Sequence, residues 1–164
     1  MKKHIIIFLV ITQIFCSSYD FNVDTVTADQ LFKNFREQNS SDYILLNIWS
    51  TWCLPCLEEF PYIVNLEKQY DAKDLNVVFL STDWDENSQE VKQFLKEQNV
   101  VGQHYRKKEG DDENFINVIS QSWSGVLPFT GIYDKNLNLR VYWEGKRDEN
   151  FFKYKIDSLL SKKG

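Results

Sequence analysis

Cys53 and Cys56 stand two residues apart in the run Trp49-Ser50-Thr51-Trp52-Cys53-Leu54-Pro55-Cys56. An apolar, strand-like segment, Tyr43-Ile44-Leu45-Leu46-Asn47-Ile48, precedes them, and a helix-like pattern begins near Leu54. Two thiols at a strand-to-helix junction are placed for dithiol–disulfide exchange. A helix N-terminus gathers unpaired backbone N–H groups and the positive end of the dipole, which favours thiolate over thiol. Cys53, ahead of the helix, is read as the exposed nucleophile. Cys56, one turn along, is read as the more buried thiol that resolves a mixed disulfide. An inert disulfide is the plainer use of the pair, but a two-residue loop gains little from loop closure, and a staple leaves the flanking tryptophans unexplained. Zinc would need two further ligands, and the chain offers only Cys16, His4 and His104 beyond the pair.

Glu59 follows Cys56 by three residues, so both can lie on one helix face. The resolving thiol must lose a proton, and a partly buried carboxylate with a raised pKa could accept it. The alternative for Glu59 is a solvated helix acid, which is the reading of its neighbour Glu58. Trp52 is expected to shield the disulfide and shape a docking surface, and Trp49 to pack beneath it. Trp123 and Trp143 read as packing, and His104 is given no role.

The elements that must position these residues follow from hydrophobic periodicity. Thr27-Ala28-Asp29 can cap a helix through Phe35, and Tyr43 to Trp49 reads as a central strand covered on both faces. A helix from Leu54 to Tyr70 presents Leu57, Phe60 and Val64, with Pro61 expected to interrupt and kink it. Asn76 to Ser81 reads as a second buried strand. Asn87 with Glu90 looks like a capping box opening a helix to Gln98, with Val91, Phe94 and Leu95 inward. A short strand is expected near His104-Tyr105, then a short helix after Asp111-Asp112-Glu113 with Phe115, Ile116 and Ile119 inward. Phe129–Asp134 and 137–144 read as a hairpin around Lys135-Asn136, and a last helix is capped near Asp148 and runs to Ser161. This order of elements makes an α/β sandwich with strands of mixed direction.

The run W-S-T-W-C-L-P-C-L-E-E-F-P resembles the thioredoxin superfamily, most of all the extracytoplasmic thiol–disulfide reductases of the TlpA/ResA type, whose motif is W-x-x-W-C-x-P-C-x-x-E-x-P. The resemblance runs from about Thr27 to the C-terminus, with its strongest parts at 47–61 and at Val126-Leu127-Pro128-Phe129. It implies a thioredoxin fold, a mixed central sheet flanked by helices, with the helix around Val91 to Phe94 where the TlpA-like branch carries its insert. It also implies that Pro128 is the cis-proline facing the disulfide. Leu127 and Pro128 would then offer backbone to an extended substrate beside Cys53 and Trp52. An ordinary trans-proline opening a strand is the alternative. Leu127 departs from the β-branched or small residue more common there, which bears on substrate specificity. Thioredoxins proper use a buried aspartate on the preceding strand. Here that position is Asn47, so the proton-accepting task falls to Glu59.

The 164 residues suit one domain after a leader, and the net charge of −5 argues against nonspecific nucleic-acid binding. Met1-Lys2-Lys3 followed by Ile5 to Ile11 reads as a secretory signal, too short to span a bilayer comfortably; a buried N-terminal strand is the lesser alternative. The division expected is a signal peptide over 1–18 and a thioredoxin-like domain over 19–164. Cys16 would instead be lipidated if 1–15 is a lipoprotein signal, although Phe15 is bulky for that; only then is the chain membrane-attached. In neither case does Cys16 take part in the chemistry. The expected location is extracytoplasmic, in a bacterial periplasm or tethered facing outward.

The expected function is reduction of protein disulfides by a monomer that needs no cofactor or metal. By the resemblance, substrates could include apocytochrome c thiols, with electrons from a membrane or periplasmic thiol donor. A thiol oxidase or isomerase would use the same residues, and a binding module would use the disulfide only structurally. A peroxiredoxin would want a threonine at Ser50 and a proline earlier, and both are absent.

Overall fold

The computed structural model describes residues 21–163. The expected signal segment, Cys16, His4 and the expected start of the mature chain near Tyr19 lie outside the described residues. Among the described residues, no helix is long and apolar enough to cross a membrane.

Six strands form one sheet: β1 (Asp24–Val26), β2 (Tyr43–Trp49), β3 (Leu75–Ser81), β4 (Gln103–Lys107), β5 (Phe129–Asp134) and β6 (Leu139–Glu144). Their spatial order is β1-β4-β3-β2-β5-β6. The first four are parallel where they pair, whereas β5 runs antiparallel to β2 and β6 antiparallel to β5. This is the thioredoxin fold.

Strand alternation divides the interior between two faces. Ile44, Leu46 and Ile48 of β2, with Val78 and Leu80 of β3, pack against α1 (Ala28–Gln38) and α4 (Asp112–Ile119). Leu45 and Trp49, with Val77 and Phe79, pack against α2 (Leu54–Gln69), α3 (Ser88–Glu97) and α5 (Glu149–Leu160). Asn47 belongs by parity to the α2 face, which brings its amide to the helix that carries Cys56 and Glu59.

The expected elements are present, with four differences. Thr27 does cap α1, through a capping box closed by Gln30, but Asn87 makes no side-chain cap to α3. A 3-10 turn, Asp85–Asn87, leads directly into that helix and gives Asn87 near-helical backbone angles, so its side chain is turned away from the capping geometry. Pro61 lies on the exposed side of α2, and the helix continues as one element to Gln69. The N–H it lacks would have bonded the carbonyl of Leu57, so the loss is local. The strand expected near His104 extends over Gln103–Lys107, and Asp24–Val26, where no strand was expected, pairs with it at the sheet edge.

Candidate active site

β2 ends at Trp49, and the chain turns through Ser50, Thr51 and Trp52 into α2. Cys53 is the N-cap of that helix, with extended backbone angles, and Pro55 occupies the first turn, where a missing N–H costs nothing. Cys53 and Cys56 are joined, with an S–S distance of 2.07 Å. The Cys56 backbone N–H donates to Cys53 Sγ at 3.3 Å and to the Cys53 carbonyl at 3.0 Å. In the dithiol state the same N–H would point at the Cys53 thiolate, a fixed donor beside the developing charge. Cys53 is 6% exposed and Cys56 1%. The order matches expectation, but Cys53 is less open than an exposed sulfur, because it belongs to the core cluster under α2.

Glu59 has no exposed surface. Asn47 Nδ2 donates to its Oε1 at 3.1 Å, and the backbone N–H of Arg147 donates to its Oε2 at 2.9 Å. Burial pushes its pKa up from 4.5 to about 7, against the opposing pull of the Arg147 N–H, the Asn47 amide and the Arg147 and Lys146 charges. A carboxyl group poised near neutrality, one helical turn after Cys56, can take up or release a proton at modest cost. Glu58, by contrast, is exposed and pairs with Lys146. Asn47 Nδ2 also donates to Thr130 Oγ1 at 3.0 Å, so the amide bridges α2 and β5.

The Leu127–Pro128 peptide is cis. The Pro128 carbonyl accepts the Gly145 N–H at 2.8 Å. Gly145 has φ +76°, a left-handed backbone that lets the chain turn from β6 toward Arg147 and its contact with Glu59. The approach to Pro128 is tied down by Trp123 Nε1, which donates to the Val126 carbonyl at 2.9 Å, and by Ser124, whose N–H donates to Glu144 Oε1 at 2.8 Å. Trp49 is fully buried against Phe60 and Phe94, with ring centroids 4.8 and 4.9 Å away. Trp52 is 70% exposed. Trp123 and Trp143 are buried, and His104 bonds the carbonyls of Gly102 and Asn22 through its two ring nitrogens.

One group central to this loop was not singled out from the sequence. Asp83, 1% exposed, accepts the Thr51 N–H on both carboxylate oxygens, at 3.2 and 3.0 Å. The Thr51 and Ser81 hydroxyls also donate to it, at 2.5 and 2.6 Å. Arg106 donates to the Asp83 carbonyl at 3.3 Å and pairs with Asp85. The available signal was position: Asp83 follows the carboxyl end of the strand beside β2, the end where open α/β sheets build their sites.

The redoxin family's sequence profile matches residues 20–122. The thioredoxin-like protein YneN of Bacillus subtilis is 26% identical over 113 residues, covering 69% of this chain and 64% of YneN. The thiol–disulfide oxidoreductase ResA of Oceanobacillus iheyensis is 32% identical over 102 residues, 62% of this chain and 49% of that protein. The chain thus spans about half to two thirds of these relatives. A thioredoxin-related protein from Neisseria meningitidis serogroup B superposes with a TM-score of 0.65 at 24% identity, covering 76% of this chain and 90% of that one, which is likeness of fold. With the profile spanning most of the chain and the tryptophan–cysteine motif at the head of α2, the protein belongs to the redoxin family, in the TlpA/ResA-like part of the thioredoxin superfamily.

Proposed function

We propose that this protein is an exported thiol–disulfide oxidoreductase that reduces protein disulfides. The observation that carries the proposal is the placement, on one helix, of a cysteine pair at its N-terminus and, one turn on, a buried carboxyl group poised near pH 7. In the dithiol state the Cys53 thiolate attacks one sulfur of a substrate disulfide, forming a mixed disulfide and expelling a substrate thiolate. Cys56 gives its proton to Glu59 and attacks Cys53 Sγ. The Cys53–Cys56 disulfide forms, the second substrate thiolate leaves, and the substrate has gained two electrons. An external dithiol must then return two electrons to the pair.

Trp52, Leu127 and Pro128 flank the cysteines as the surface on which the substrate backbone docks. The basic start and short apolar core of residues 1–18 support export, with Cys16 either removed or lipidated. Apocytochrome c thiols are one substrate class consistent with the ResA likeness.

The test is the equilibrium reduction potential of Cys53–Cys56, followed by tryptophan fluorescence in redox buffers. A value at or below about −230 mV supports the reductase, and one between about −120 and −180 mV assigns an oxidase or isomerase instead. A pair that resists reduction until the protein unfolds would leave only a binding role.

A further inference from the structure

Beside the disulfide lies a cleft of about 200 Å³, whose walls include Trp52, Trp84, Phe115, Ile116, Trp123 and Leu127. Trp52 follows from the motif. Trp84 does not: it projects from the turn after β3 and is 71% exposed. Two indoles left in water on either side of an apolar-lined cleft form a surface that lacks a partner within the described chain. The neighbouring depression continues from Trp84 past Glu86, Lys107, Glu109 and Asp112. The Lys107 charge is taken up by Asp112, and that of Arg106 by Asp85. Glu86 and Glu109 are exposed along this rim, and with Asp112 these acids outnumber Lys107, the one base among its lining residues. The exposed indole faces add their own attraction for cations.

We infer that this cleft selects the segment of a substrate polypeptide next to its reactive cysteine. The segment would be extended, with a large apolar side chain entering between Trp52 and Trp84 and Lys or Arg residues lying along the acidic rim. The inference rests on the reductase reading above and names the substrate class for that site. Leu127, the residue before Pro128, lines the cleft and packs against the core cluster that contains Cys53 and Cys56. A side chain seated there therefore belongs to a residue close in sequence to the attacked sulfur.

The test uses three disulfide-cyclised synthetic peptides whose flanks carry Phe and Lys, Phe and Glu, or Gly and Ser, with hydroxyethyl disulfide as a small substrate that cannot fill the cleft. Reduction by the dithiol protein is followed by alkylation and mass spectrometry. The Phe–Lys peptide should react about tenfold faster than the Gly–Ser peptide, as burial of one apolar side chain allows. Trp84→Ala should erase most of that advantage, and Glu86→Lys with Glu109→Lys should reverse the order of the Phe–Lys and Phe–Glu peptides. None of these variants should alter turnover of hydroxyethyl disulfide. Equal rates for the three peptides, with hydroxyethyl disulfide reduced normally, would overturn the inference while sparing the reductase reading. Self-association lost in Trp84→Ala, without any peptide preference, would assign the cleft to a second copy and overturn it too. Failure to reduce even hydroxyethyl disulfide would remove the reductase reading and the inference with it.

Discussion

Glu59 combines full burial with two hydrogen-bond donors, and the balance between them sets how the protein responds to pH. Well below pH 4.5, the carboxyl is protonated in both folded and unfolded chains, so its burial carries no ionisation penalty. As pH rises from there to about 7, the unfolded chain ionises while the folded one holds its proton, and stability falls. The loss is complete above the folded pKa and is at most about 3 kcal/mol. Glu59→Gln should flatten this fall, as measured by urea denaturation between pH 4 and 8; a wild-type curve already flat there would contradict the assignment. The same variant should slow resolution of a trapped mixed disulfide by about a hundredfold and remove its inflection near pH 7. The motif made the Cys53, Cys56 and Glu59 spacing legible. It could not reveal that one of Glu59's donors is the main-chain N–H of Arg147, because a backbone group leaves no side-chain signature 88 residues away.

At the scale of elements, the turn between β2 and α2 is held by its neighbour β3. The Asp83 carboxylate takes two hydroxyls and an N–H, so it fixes the segment that presents Trp52 and Cys53. Asp83→Ala should cost about 2 kcal/mol or more, since a buried N–H and two hydroxyls lose a charged partner. It should also loosen the turn that presents Cys53, read as faster amide hydrogen exchange at Thr51, whereas Asp83→Asn should restore part of both. An alanine variant with unchanged exchange at Thr51 would show that Asp83 does not hold the turn. The long elements were legible because their apolar periods are strong: β2, β3 and α5 need only their own sequence. Asp24–Val26 escaped because three residues carry no period and its pairing depends on β4, 81 positions on. The absent cap at Asn87 has a similar origin, since the 3-10 turn before it sets the backbone angles on which capping depends.

Over the whole molecule, the disulfide and the apolar wall of the neighbouring cleft pack into different core layers. Cys53 and Cys56 pack into the core shared by α2, α3 and α5, whereas Phe115 and Trp123 of the cleft belong to the core under α1 and α4. Reduction of the pair should therefore speed amide hydrogen exchange in α2 more than in α1 or α4; equal changes in the two layers would contradict this division. Phe60 stacks on Phe79 and meets Trp49 and Phe94 edge-on within the first layer. Phe60→Ala should cost about 3–5 kcal/mol by denaturation and disturb the disulfide's surroundings more than the cleft.

Leu127 packs against both cores. If the cleft takes the substrate as proposed, a single side chain shared between its layer and that of the disulfide would make occupancy and electron content linked variables. Such linkage is reciprocal. A peptide that binds the disulfide form tenfold more tightly than the dithiol form must lower the midpoint potential by about 30 mV. The protein's reducing power would then be a property of the complex, differing from one bound partner to the next.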